Sequence, residues 1–255
     1  MNFIVSASTD VGIEKSTNQD SLSVLSLTTP LGKMVFAILC DGMGGLAKGE
    51  VASATLVNAF RDWATKELPK MCNAPLEEAK IRAQWEQIIT EQNVRIKAYG
   101  AQQGVRLGTT AVVMLLTQTT SYILNVGDSR AYEITNQLRQ LTNDQTFVAR
   151  EVAMGRMTPA EAETDSRRSV LLQCVGASES VYPDLFVQPT QCDAVYMLCS
   201  DGFRHEILPE EIAYHLQPNL LVSEQTMKEK ARELIELNKQ RQERDNISVI
   251  LIRTF

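Results

Sequence analysis

The sequence reads as an α+β fold in which helices cover antiparallel sheets. Two long amphipathic helical stretches lie together in the first half, and short β-branched or aromatic runs cluster after Thr109. The two kinds of element are segregated rather than regularly alternating, which separates this class from a βαβ fold. With 255 residues, 44% of them hydrophobic, the chain can bury a full core. No internal repeat, low-complexity stretch or Pro/Ser-rich linker divides it, so residues 1–255 are read as one domain.

The elements follow in order. Residues 34–40 form an uninterrupted apolar strand that ends in the turn Asp41-Gly42-Met43-Gly44-Gly45. A helix is predicted from Gly49 to about Leu68, with Val51, Ala54, Val57, Phe60 and Trp63 on one face. Residues 69–75, with a proline at each end, make the connection to a second helix whose stripe is Ile81, Trp85, Ile88, Ile89 and Ile96. The pair is expected to lie antiparallel on one sheet face. Residues 110–116, 121–126 and 130–134 read as consecutive antiparallel strands, broken at 117–120 and at Gly127-Asp128-Ser129. The stretch 144–180 is polar, helical in places and without a strong stripe, and reads as a mobile insertion near the site. A buried strand at 194–199 breaks at Ser200-Asp201-Gly202, and a helix over 223–240 presents Met227, Ala231, Leu234 and Ile235. That helix leads to a terminal strand, 246–252, with Asp245 just before it. Trp85 and Tyr196 are read as core residues.

Composition excludes several classes. The net charge is −6 and no basic block appears, which argues against a nucleic-acid platform that relies on neutralising phosphates. The first residues, Met1-Asn2-Phe3-Ile4-Val5-Ser6, carry no basic n-region, and no apolar run approaches a membrane span. Five cysteines, odd in number and without CxxC spacing, fit a reduced, cytoplasmic setting, with Cys40 and Cys199 as small core residues.

The chemistry concentrates at Asp41, Asp201 and Asp245. Each stands where a buried strand meets a loop, so all three could converge at one sheet edge. Converging carboxylates repel and resist burial unless a cation joins them. A divalent-metal hydrolase is therefore the leading reading. An isolated Asp-Gly, by contrast, is a common turn signal and usually only hydrogen-bonds its own loop. Only two histidines exist, His205 and His215, which leaves little material for a Ser-His-Asp triad or a histidine zinc site. His205 lies four residues after Asp201 and could reach the site; a solvated surface role is the simpler reading.

Taken in series, the motifs are more specific. They run Asn18-Gln19-Asp20, Asp41-Gly42-Met43-Gly44-Gly45, Gly108-Thr109-Thr110-Ala111, Asn125-Val126-Gly127-Asp128-Ser129-Arg130, Leu141-Thr142-Asn143-Asp144, Ser200-Asp201-Gly202 and Asp245-Asn246. This series closely resembles the metal-dependent protein phosphatase 2C family of serine/threonine phosphatases, in its compact bacterial form. The resemblance implies a four-layer α-β-β-α sandwich of two antiparallel sheets, in a single catalytic domain with a flap at about 144–180. It implies two Mn²⁺ or Mg²⁺ ions bridged by Asp41, with the Gly42 carbonyl on one and Asp201 and Asp245 on the other. By the same resemblance Asp20 orients the attacking water, Asp128 helps hold a third, weaker ion, and Gly44 and Gly45 let the backbone turn tightly beside the metals. The substrates implied are phosphoserine and phosphothreonine proteins, those of a cognate serine/threonine kinase.

Two positions depart from the family pattern. Lys15 stands where an arginine usually grips phosphate, giving a point charge without a planar fork; the blander reading is a solvated loop lysine. Met43 occupies the place where many relatives carry a histidine as general acid. Arg167 and Arg168 of the flap read either as contacts for an acidic partner or as merely solvated. Two other functions compete with an active phosphatase: a catalytically silent phosphoprotein-binding relative, and a two-metal phosphodiesterase or nuclease. The three retained aspartates count against the first, and the missing basic groove against the second.

Overall fold

The computed structural model describes residues 1–44 and 48–255 of the chain. The first half holds strands β1 Phe3–Asp10, β2 Ser21–Thr29, β3 Gly32–Cys40 and β4 Gly42–Gly44, then helices α1 Gly49–Lys66, α2 Leu68–Met71 and α3 Glu78–Gln103. Next come β5 Leu107–Thr109, β6 Ala111–Leu116, β7 Thr120–Val126, β8 Arg130–Ile134 and β9 Leu138–Gln140. Helices α4 Phe147–Ala153 and α5 Pro159–Thr164 precede β10 Asp184–Pro189 and β11 Val195–Cys199, and α6 Pro209–His215 and α7 Glu224–Gln240 precede β12 Ile247–Thr254.

Two five-stranded antiparallel sheets, β1-β12-β11-β8-β9 and β10-β7-β6-β3-β2, stack face to face. Strand β3 shows why its sequence is apolar without a break. Met34, Phe36, Ile38 and Cys40 pack with Phe60, Trp63 and Trp85 of α1 and α3. Their alternates Val35, Ala37 and Leu39 meet Tyr196, Leu198, Ile250 and Ile252 of the facing sheet. Side chains alternate across a strand, so a strand between two layers must be apolar at every position. Strand β11 does the same in the other sheet, with Val195, Met197 and Cys199 packed on Met227, Ala231 and Leu234 of α7. The layers are thus α-β-β-α, as the resemblance implied. Trp85 is fully buried, with its ring edge-on to Phe60 at 6.1 Å and Trp63 at 5.5 Å. Cys40, Cys72, Cys174 and Cys199 are buried free thiols. Among the described residues no helix is long and apolar enough to cross a membrane.

Two expectations need correction. Strand β8 does not continue the β6–β7 meander: at Gly127-Asp128-Ser129 the chain turns a corner, and β8 pairs with β11 and β9 in the other sheet. The helix predicted to about Leu68 ends at Lys66, and Pro69 sits in the first turn of a separate short helix, where its missing N–H costs no bond. The segment 144–180 closes on itself through a bridge between Thr146 and Leu171 and joins β5 through another between Thr109 and Val175. Its helix α5 carries a capping box formed by Thr158 and Glu161.

Candidate metal centre

Strand pairing brings the acidic residues to one end of the sandwich. Ser21 pairs with Cys40 in the β2–β3 ladder, so Asp20 and Asp41, the next residues on either strand, leave that sheet side by side. In the other sheet Cys199 pairs with Val249, and the Ser200 N–H donates to the Ser248 carbonyl at 3.1 Å. Asp201 and Asp245 leave that ladder at its corresponding end. Gly202 packs so closely on the Asn246 carbonyl and the Asp245 side chain that no Cβ fits there. Asn246 stitches the two sheet ends together. Its Nδ2 donates to the carbonyls of Val11 at 2.9 Å and Thr17 at 3.3 Å, while its Oδ1 accepts the Gln19 N–H at 2.8 Å.

The backbone of Asp41 is clamped by the Thr109-Thr110 pair. Its N–H donates to Thr110 Oγ1 at 3.0 Å, and its carbonyl accepts from Thr110 N–H and Thr109 Oγ1, both at 2.9 Å. Ser129 Oγ holds the Thr110 hydroxyl in turn, at 2.7 Å. A Cβ on Gly42 would collide with the carbonyl oxygens of Gly49 and Gln19, so only glycine lets the chain pass here. Gly44 pairs with Leu107 in the small β4–β5 ladder, whereas Gly45 lies outside the described residues.

The electrostatics agrees with this placement. Asp41 keeps some surface at the mouth of the site, yet its pKa is driven well above the carboxylate range, by burial first and then by the charges of Asp20, Asp201, Asp128 and Asp245. Burial likewise pushes Asp20 up to about 7, with Asp201 and Asp245 adding to the shift. The hydroxyls of Ser248 and Ser200 lie near enough to oppose it, although neither completes a hydrogen bond. Both carboxylate oxygens of Asp20, and Oδ1 of Asp201, are buried without any donor. Asp128 is also pushed up to about 7, again by burial first and next by Asp201.

This donor set fits divalent cations. Buried carboxylate oxygens with no hydrogen bond are costly unless a cation satisfies them, and an all-oxygen set suits hard ions such as Mn²⁺ or Mg²⁺. Among the described residues no three acidic, cysteine or histidine side chains are closed around one point as they stand.

Lys15 lies at the rim, its Nζ 3.2 Å from Asp245 Oδ1, with both side chains about two-fifths exposed (42% and 41%). Burial works against its charge, but Asp245, Asp41 and Asp201 outweigh that and raise its pKa. His205 is not a solvated surface residue. Its Nε2 stands 3.6 Å from Asp201 Oδ2 and its Nδ1 3.5 Å from Glu243 Oε2. The four-residue spacing from Asp201 was the one signal of this in the sequence; the Glu243 partner had none. Arg204 donates to the Asp128 carbonyl at 3.0 Å and lies 3.6 Å from Asp144, which Arg130 grips with two bonds of 2.7 Å. Arg167 is spent within the flap, paired with Asp165 and stacked 4.3 Å over Phe147.

With this geometry described, its likeness to known proteins is specific. The profile of the family Protein phosphatase 2C matches residues 13–251. The serine/threonine phosphatase Stp of Listeria innocua is 32% identical over 247 residues, covering 96% of this chain and 93% of that protein. The S. agalactiae serine/threonine phosphatase superposes with a TM-score of 0.84 at 28% identity over the full length of both chains. The catalytic domain of the serine/threonine protein phosphatase PstP, solved in complex with two manganese ions, is similar with a TM-score of 0.77 at 28% identity, covering 99% of both chains.

Proposed function

The chain belongs to the protein phosphatase 2C family, and from that premise we propose that the carboxylates at the sheet ends are the metal site of its catalytic centre. The protein is a metal-dependent protein serine/threonine phosphatase that acts on phosphoproteins. The observation that carries the site assignment is that both carboxylate oxygens of Asp20 and Oδ1 of Asp201 are buried without a donor at the sheet end that Asp20 shares with Asp41.

Asp41, the Gly42 carbonyl, Asp201 and Asp245 would hold two Mn²⁺ or Mg²⁺ ions, and Asp128 a third. When bound, such ions lower the pKa of water and neutralise the phosphoryl oxygens, which sets up in-line attack on phosphorus. The chain's own groups do the rest. The Thr109-Thr110 clamp fixes Asp41. Asp20, buried and without a donor, accepts a proton from the attacking water and orients it. Lys15 turns from Asp245 to the phosphate of the incoming substrate. Met43 carries no proton to give, so the leaving alkoxide is protonated by water. The whole of 1–255 serves as one catalytic domain with 144–180 as its flap, working in the cytoplasm against a serine/threonine kinase.

Phosphate release from a phosphothreonine peptide tests this, with Mn²⁺ and then with excess chelator, for wild type and Asp41→Asn side by side. Release that needs Mn²⁺ and is lost in the variant is expected. Chelator-resistant release, or full activity of Asp41→Asn, would refute the assignment.

A further inference from the structure

Resting on the phosphatase reading, we propose that the cleft between the flap helices α4 and α5 and the entry to α6 binds an aliphatic side chain of the substrate next to its phosphorylated residue. The cleft measures about 650 Å³, within the about 300–1,000 Å³ usual for ligand sites. It borders the metal site directly, because Asp128 and His205 line both. A peptide whose phosphate lies among the carboxylates therefore has its neighbouring residues at the mouth of this cleft.

The walls specify what enters. Val148 and Val152 of α4 face Ile207 and Leu208 before α6, and Leu208 is 61% exposed, an aliphatic group left open to solvent. An open aliphatic surface rimmed by polar groups marks a place where another chain binds. Three alanines, Ala149, Ala153 and Ala162, keep the space clear. Of the charged members of the lining, Arg130 is bound to both oxygens of Asp144 and Arg204 to the Asp128 carbonyl at 3.0 Å, while Glu163 and Arg168, the latter bonded to the Glu163 carbonyl at 3.2 Å, stand exposed at the rim. With the two inner guanidinium groups, Arg130 and Arg204, turned to Asp144 and the Asp128 carbonyl, the inner part of the cleft offers burial of apolar surface and the charges lie at its rim. The occupant is thus a leucine-like residue of the phosphoprotein itself.

The test uses two phosphothreonine peptides that differ only in leucine or serine at the residues flanking the phosphothreonine, with an aryl phosphate as control, all in Mn²⁺. Wild type should favour the leucine peptide in kcat/KM by about tenfold, the scale of burying one aliphatic side chain. Filling the cleft with Ala153→Trp, at an exposed position, or Ala162→Trp, at a half-buried one, should erase that preference and leave aryl phosphate turnover unchanged. Equal use of both peptides by wild type, or a preference that survives both tryptophans, would overturn the inference while the phosphatase reading stands. If Ala162→Trp instead turns a dimer into a monomer with peptide preference intact, the cleft is a contact between copies and the inference fails. Wild type that turns over neither peptide nor aryl phosphate would sink the phosphatase reading, and this inference with it.

Discussion

The acids of the flap and the acids at the sheet ends are treated in opposite ways. In the flap, Glu151 is drawn down to about 2, first by its hydrogen bonds from Arg156, and Asp165 to about 2 by those from Arg167. At the sheet ends, Asp20 and Asp128 are pushed up to about 7 and Asp41 well above the carboxylate range, each by burial first and by like charges next. The chain thus pairs acids with arginine where they only fix a loop. At the sheet ends, where no arginine bonds their oxygens, buried carboxylates repel one another, a cost that a bound cation would remove. Perturbed acids in a functional site are recognised by this missing partner more than by the size of the shift.

Breaking the contrast at its centre should have the largest effect. Asp41→Asn should lower turnover by more than about a hundredfold, the upper end of what losing an outer partner of a metal site costs. The same change should raise the Tm of the metal-free protein, because it removes a repelling charge. A variant both inactive and less stable would make Asp41 a structural acid. Asp20→Asn should cost about ten- to a hundredfold in kcat while leaving Mn²⁺ affinity nearly intact, as calorimetry would show. Lys15→Ala should raise KM for a phosphopeptide by about tenfold, the scale of one charge-assisted hydrogen bond; an unchanged KM would remove Lys15 from the site.

A pH series sharpens the comparison further. Asp20 and Asp128 rise from an ordinary 3.8 to about 7 in the fold, so between these values the native state holds protons that the unfolded chain has lost. Their contribution to stability is therefore complete below about pH 4 and lost as pH rises through 7. Denaturant melts of the metal-free protein should show that decline, and saturating Mn²⁺ should flatten it. At the small end, Arg156→Ala should release the half-buried Glu151 from a pair whose arginine is open to solvent and leave aryl phosphate turnover unchanged, since ion pairs reached by solvent contribute little.

Residues buried on two sides were the most legible. Strand β11 and the Met34–Cys40 stretch of β3 are apolar at every position because each lies between two layers, and both lead to a ligand candidate. Strands β1 and β2 escaped notice for the opposite reason. They lie at sheet edges with Ser and Thr interspersed, half-buried on most positions, so no period stood out. The corner at Gly127-Asp128-Ser129 looks like any hairpin turn, and only the pairing of β8 with β11 shows that the chain changes sheets. Of the site, the acidic turns were visible one by one, while their meeting depended on long-range contacts such as Asn246 with Gln19. Lys15 was legible as a cation near the motif, but its partner Asp245 lies 230 positions away in sequence. His205 was misjudged because Glu243, the acid that holds its other face, sits in a different element.

The most direct measurement is a calorimetric Mn²⁺ titration of the metal-free wild type beside Asp41→Asn, with melting followed at each point. Carboxylates without donors predict two tightly bound equivalents in wild type, with a weaker third beyond them, and a Tm that climbs with free Mn²⁺, these effects largely gone in the variant. Identical titrations for the two proteins, or a Tm indifferent to Mn²⁺, would contradict the account.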